Sequence, residues 1–251
     1  MNKYRNDITG LRAIAIIPVL FYHTELAIFN GGYLGVDVFF VISGYLIARL
    51  LLNDLNNNNF SFKDFYFRRI KRLLPALYGV LLFTVFYTSI RFFPNDITNF
   101  SESLLYTTLF LSNIFFWRNI NYFSDDIIFK PLAHTWSLGI EEQFYILLPI
   151  YLFIFYKFRK KRWIFTTSTI VLLFSLFLSI FGDFLHNQTK FYLIFTRAWE
   201  LLAGVCISLY LQKKEIKQSE NLSMLGFLLI LFSLIFFADE SLHPGITTIP
   251  A

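Results

Sequence analysis

The chain has 251 residues, 56% hydrophobic and 16% charged, with 33 phenylalanines and a mean hydropathy of +0.54. A soluble domain carries roughly 25% charged residues, so this composition excludes an ordinary globular protein and describes a polytopic membrane protein. The net charge of +5 does not indicate nucleic-acid binding, because the basic residues cluster in short loops between apolar runs, where they encode orientation.

The first predicted element runs from Asp7 to Phe29, long and apolar enough to cross a bilayer as a helix. Lys3 and Arg5 precede it in the manner of a signal peptide. Arg12, His23 and Glu25 interrupt that pattern and no small-x-small cleavage site follows, so the segment reads as a retained span. Arg12 and His23 share one helical stripe, because eleven steps of about 100° end about 20° past three full turns. A cation and an imidazole on one stripe, roughly 16 Å apart along the axis, suggest a path through the protein. A snorkelling arginine and a histidine bonded to a neighbouring helix would occupy the same positions.

A tight Asn30–Gly32 turn leads to a second span at about 33–52. A polar and then basic loop runs from Asn53 to Arg72, followed by a span at 73–93. The stretch 98–117 is apolar but rich in Ser, Thr and Asn. Further spans are expected at 136–156, 163–181, 192–211 and 222–238. The one cysteine, Cys206, lies inside a span, which leaves no disulfide framework and no thiolate metal site. The expected fold is an all-α, polytopic transmembrane helical bundle forming one integral-membrane domain over residues 1–251, with its end at 251 reading as a truncation.

The basic loops set the orientation. Lys3 and Arg5 place the N-terminus on the cytoplasmic side of the plasma (inner) membrane, as do Lys63, Arg68, Arg69, Lys71 and Arg72 for their loop. The run from Lys157 to Arg162 and the group Lys213, Lys214 and Lys217 belong inside as well. These loops agree only if 98–117 is re-entrant or interfacial and does not cross. His134 and the region near His243 then lie outside.

Three groups of residues carry chemistry. His23 and Asp37 flank the turn between the first two spans, at similar distances from it. An aspartate beside a histidine would orient the ring and raise its basicity, whereas Asp37 could equally cap the second helix. Arg68, Arg69 and Arg72 precede Pro75, with Arg69 and Arg72 one turn apart. With Arg12 they suit a polyanion such as a nucleotide diphosphate, or lipid headgroups. Lastly, His134, Trp136, Ser137, Glu141 and Glu142 open one span, and Arg197 and Glu200 sit at salt-bridge spacing in a later one. A structural pair of Arg197 with Glu141 or Glu200 accounts for the charges, and a polar acceptor site is the alternative. No metal-ligand spacing, phosphate-binding glycine loop or nucleophilic serine elbow is present.

D-I-T-G-L-R-A-I-A (7–15) with His23, G-G-Y-L-G-V-D-V-F-F-V-I-S-G-Y-L-I (31–47), F-R-R-I-K-R-L-L-P-A (67–76), L-S-N-I-F-F-W (111–117), H-T-W-S-L-G-I-E-E-Q-F-Y (134–145) and R-A-W-E-L-L-A-G (197–204) occur in this order. With them the chain closely resembles the membrane acyltransferase type 3 family, the O-antigen acetylase-like enzymes. The family's arginine–histidine pair falls on Arg12 and His23, and its Arg-x-x-Arg pair on Arg69 and Arg72. The resemblance implies acyl-CoA, chiefly acetyl-CoA, as donor substrate at the inner face on Arg12, Arg69 and Arg72, with no bound cofactor. His23 would be general base for a sugar hydroxyl or would carry the acyl group itself. The acceptor would be a glycan presented outside, such as lipopolysaccharide O-antigen or a lipid-linked saccharide. Many members add further spans and an extracytoplasmic SGNH esterase-like domain. A proton-coupled transporter is the competing class, since intramembrane His, Asp, Glu and Arg also build proton relays. No internal repeat of the transporter kind is visible.

Overall fold

Pro94 and Ser61 show how strictly local chemistry divides this chain. The computed structural model describes residues 5–24, 28–119, 130–182, 186–213, 219–237, 243–245 and 248–250. Lys3, Lys214 and Lys217, on which part of the orientation reading rests, and Glu25, used in reading the first segment as retained, lie outside them. Among the described residues every regular element is helical, as expected. The helices are α1 (Asn6–His23), α2 (Gly35–Asn56), α3 (Phe62–Arg91), α4 (Pro94–Thr108), α5 (Ser112–Asn119), α6 (Trp136–Lys157), α7 (Arg162–Phe181), α8 (Asn187–Tyr192), α9 (Ile194–Lys213) and α10 (Glu220–Phe236). Short 3-10 turns, Gly32–Leu34 and Ala133–Thr135, lead into α2 and α6.

Among the described residues, five helical stretches are long and apolar enough to cross a membrane: Gly32–Asn56, Phe62–Arg91, Ala133–Lys157, Arg162–Phe181 and Asn187–Gln212. The first element departs from expectation here. Its helix stops at His23 after 18 residues, about 27 Å, and Asp7, Arg12 and His23 dilute its apolar run, so α1 is not one of the five. The loop expected at 53–72 is likewise shorter. Ser61 accepts a hydrogen bond from the Asp64 amide and starts α3 at Phe62, so the basic residues ride on the helix itself. Helix α3 ends at Arg91, where Phe92 turns extended (ψ 145°); Phe93, also extended ahead of proline (ψ 159°), caps α4, which Pro94 opens.

The stretch 98–117 is no single span. Helix α4 has 15 residues and α5 only 8, and a break at Leu109–Leu111 puts Phe110 in the left-handed region (φ 57°). Tyr106 and Phe115 pack across the break, ring centroids 5.5 Å apart. Neither helix reaches the roughly 20 residues a crossing needs.

The chain forms two compact units. One holds Met1–Leu50, Lys160–Phe191 and Phe195–Ala251, and the other Leu51–Arg159 and Tyr192–Ile194. In the first, α2 crosses α9 with their backbones in direct contact. A Cβ on Gly44 would collide with the Leu201 carbonyl, and one on Gly204 with the Val41 carbonyl. Lipid removes the hydrophobic drive between helices, so close approach at small residues supplies the packing. Gly44→Ala and Gly204→Ala should each destabilise by about 1–3 kcal/mol through overpacking. Gly79→Ala and Gly226→Ala, where nothing lies within 4 Å, should be neutral. Thermal melting of the detergent-solubilised variants measures the difference.

Candidate functional site

In the first unit, the α2–α9 crossing buries a guanidinium. Arg197 is fully buried, and its Nη1 donates to Asp37 Oδ1 and, at 2.8 Å, to Glu200 Oε1. Its Nη2 lies 3.1 Å from His243 Nε2. Guanidinium has no lone pair, so Nε2 accepts and the hydrogen of this neutral imidazole sits on Nδ1. His243 Nε2 also lies 3.6 Å from Asp37 Oδ2. The expected pairing of Arg197 with Glu200 is present, and Asp37 joins it from the first turn of α2. Glu141 belongs to the other unit. Charges buried this deeply persist only when paired.

The contacts of Asp37 reach Arg197 and His243, and none with His23 is among them. His23 closes α1 and is exposed. Its Nδ1 lies 2.8 Å from the Val19 carbonyl, one turn back in the same helix. A carbonyl only accepts, so Nδ1 carries the hydrogen and Nε2 of the neutral ring is left as the acceptor. An exposed imidazole with this tautomer can take a proton from a hydroxyl. Arg12, on the same helix, stands 5.1 Å from the Phe39 ring centroid, and its buried Nε has no hydrogen-bond partner among the described residues.

The second unit holds Arg69 and Arg72 on successive turns of α3. Arg69 stacks over the Tyr145 ring at 4.0 Å and acts electrostatically on Glu142. Its Nε is buried and likewise unbonded among the described residues. Arg72 is exposed, and Arg68 turns aside to Asp54 at 3.1 Å. Arg12 was grouped with Arg69 and Arg72 from sequence. It belongs to the first unit and the pair to the second.

The motif 134–145 does different jobs residue by residue. His134 is exposed, and Ser137 donates to its carbonyl at 3.4 Å. Trp136 is buried edge-on against Tyr192, 5.9 Å between rings. Glu141 is buried and Glu142 half-buried. Gln143, not singled out from sequence, donates to the Phe110 carbonyl at 3.3 Å and to Asn113 Oδ1 at 2.8 Å. Asn113 in turn donates to the Tyr192 carbonyl at 3.1 Å. Gly139 makes room, since a Cβ there would meet Asn113 Oδ1 at 2.8 Å. This amide network docks the broken stretch on α6. Sequence reasoning also missed His243 and Tyr33. The only signal for His243 was a polar H-P-G following an apolar span.

Removing Arg197 leaves two buried carboxyl groups without their cation. Arg197→Met should therefore cost about 3–5 kcal/mol and collapse the folded yield, while Asp37→Asn, which keeps an acceptor oxygen, should cost less. Melting temperatures of the two variants and of the double variant test this, with coupling expected between the sites.

Residues 5–249 match the type 3 acyltransferases, a family described as an acyltransferase domain. The chain is 33% identical over 213 residues to a peptidoglycan O-acetyltransferase, OatA, of Listeria monocytogenes, covering 82% of this chain and 34% of that protein. It is 35% identical over 259 residues to the O-acetyltransferase OatA of Staphylococcus aureus, covering 97% of this chain and 42% of that protein. The chain thus spans less than half the length of these relatives. No solved structure matches it. With an all-helical architecture and a match that runs over nearly its whole length, this chain belongs to the type 3 acyltransferase family.

Proposed function

We propose that this chain is the membrane part of an O-acyltransferase that moves an acetyl group from cytoplasmic acetyl-CoA to a hydroxyl of a cell-envelope glycan. The names of its relatives favour peptidoglycan over O-antigen as the acceptor. The observation that carries the reading is the exposed imidazole of His23, whose Nδ1–H is spent on Val19 so that Nε2 is the basic atom.

As general base, Nε2 takes the proton of the acceptor hydroxyl while that oxygen attacks the thioester carbonyl. The C–S bond breaks, and the proton passes to the departing thiolate, giving an O-acetyl ester and free CoA. In the covalent variant the same lone pair attacks the thioester carbonyl first and the C–S bond breaks to release CoA thiolate; the acceptor hydroxyl then takes the acetyl group from His23, its proton passing to the thiolate as the C–N bond breaks. Neither variant assigns a step to Asp37, whose carboxylate accepts from Arg197. The resemblance assigns Arg12, Arg69 and Arg72 to the donor's phosphates. The stacking of Arg69 on Tyr145 supports that role by fixing the guanidinium plane, and its buried Nε has no hydrogen-bond partner among the described residues.

His23→Ala should lower acetyl transfer by about 10²- to 10⁴-fold, the usual range for loss of a general base, at unchanged protein level. The readout is labelled acetate in cell-wall glycan from cells carrying either form, with cells lacking the chain as baseline. Wild-type incorporation by the variant would sink the assignment.

Arg69→Lys keeps the charge but loses both the planar fork and the stack on Tyr145. The acetyl-CoA concentration for half-maximal rate in membrane vesicles should rise about tenfold to a hundredfold, with kcat little changed. An unchanged donor dependence would make Arg69 an anchor for lipid headgroups.

A further inference from the structure

Two buried or half-buried tyrosines connect the candidate base to the buried ion cluster. The His23 and Tyr22 rings meet edge-on, centroids 5.6 Å apart with planes at 85°. Tyr22 meets Tyr33 at 5.6 Å and 64°. Tyr33, 8% exposed, meets His243 at 4.9 Å and 76°. His243 is 6% exposed and ends the series on Arg197 Nη2. All these residues lie in the first unit.

The series cannot relax by drifting away from α1. Tyr33 sits in the 3-10 turn Gly32–Leu34, and that turn is in backbone contact with the helix. A Cβ on Gly32 would collide with the Pro18 carbonyl, and one on Gly35 with the Ala15 carbonyl. On the far side the Gly31 amide donates to the Leu234 carbonyl of α10 at 3.0 Å. The turn is therefore clamped between α1 and α10, and edge-to-face rings have a defined geometry to transmit. His23 itself is exposed at the last turn of α1, where its only hydrogen bond described is to its own helix. Without lateral support such a terminal ring would sample several rotamers.

We propose that His243 is a positioning residue for the acyl transfer: anchored on Arg197, it holds Tyr33 against Tyr22 and so fixes the orientation of the His23 ring. His243 does not touch substrate in this account. Its Nε2 is engaged by Arg197, and its Nδ1 is buried and unbonded among the described residues. The role rests on the assignment of His23 as the base.

The test uses the full chain in membrane vesicles with acetyl-CoA and soluble peptidoglycan fragments as acceptor. His243→Gln keeps an acceptor for Arg197 but loses the ring, and Tyr33→Leu cuts the series without touching Arg197. Both should lower kcat about tenfold to a hundredfold, the scale set by misplacing a catalytic group, with the KM for acetyl-CoA unchanged. Tyr33→Phe, which retains the ring, should recover most of the rate lost with leucine. In parallel, the rate of His23 modification by diethyl pyrocarbonate, read by mass spectrometry of its peptide, should change in both variants. That readout needs no acyl transfer, so it separates the two hypotheses. If His23→Ala is fully active, the assignment of the base fails whatever the modification rates show. If His23→Ala is inactive while Tyr33→Leu keeps wild-type kcat and wild-type His23 reactivity, the positioning role is overturned. Should His243→Gln fail to accumulate, Tyr33→Leu decides alone.

Discussion

A guanidinium buried completely among apolar helices is the constraint on which the first unit depends. An unpaired charge in that setting costs several kcal/mol. Arg197 therefore has to find Asp37 on α2, Glu200 one turn along α9, and His243 far along the chain, in one place. Meeting that demand requires α2 and α9 to approach until their backbones touch, which Gly44 and Gly204 permit. The ion cluster and the glycine crossing are thus two sides of one arrangement. The glycines give the proximity, and the charges fix register and rotation.

The second unit also hides many neutral polar groups. Polar side chains in its helices are turned back on their own backbones: Thr84 donates to Val80 O, Thr88 to Thr84 O and Thr107 to Ser103 O. These bonds hide hydroxyls where no water competes. Where the backbone itself departs from the helix, at Phe110, the freed carbonyl is taken by Gln143. Irregular backbone is tolerated at such a place only when side chains complete its hydrogen bonds. The Asn113–Gln143 pair does this.

Against that buried framework, the residues suited to chemistry stand apart in character. His23 is exposed, bonded to the Val19 carbonyl and edge-on to Tyr22; Arg72 is exposed, and Arg69 is half-buried over Tyr145. These side chains are not tied up in ion pairs among the described residues. The buried ions are fully occupied with one another. Asp37, close in sequence to His23, pairs with Arg197, and His23 is bonded to its own helix carbonyl.

Much of this was legible along the chain. Apolar runs bounded by basic clusters marked the helices. The i, i+3 spacing marked Arg197 with Glu200, and the Ser, Thr and Asn content of 98–117 marked a stretch that would not continue as one span. These are properties of neighbouring residues, set by backbone geometry and local hydropathy, so a linear reading reaches them. The tertiary structure alone decided that Asp37 faces Arg197 instead of His23, that Tyr145 lies beneath Arg69, and that His243 closes the ion cluster. Each of those meetings depends on how one helix is rotated and crossed against another. That rotation is set by backbone contacts at glycines such as Gly44 and Gly204 and by the demand of a distant buried charge, neither of which leaves a periodic trace in the sequence.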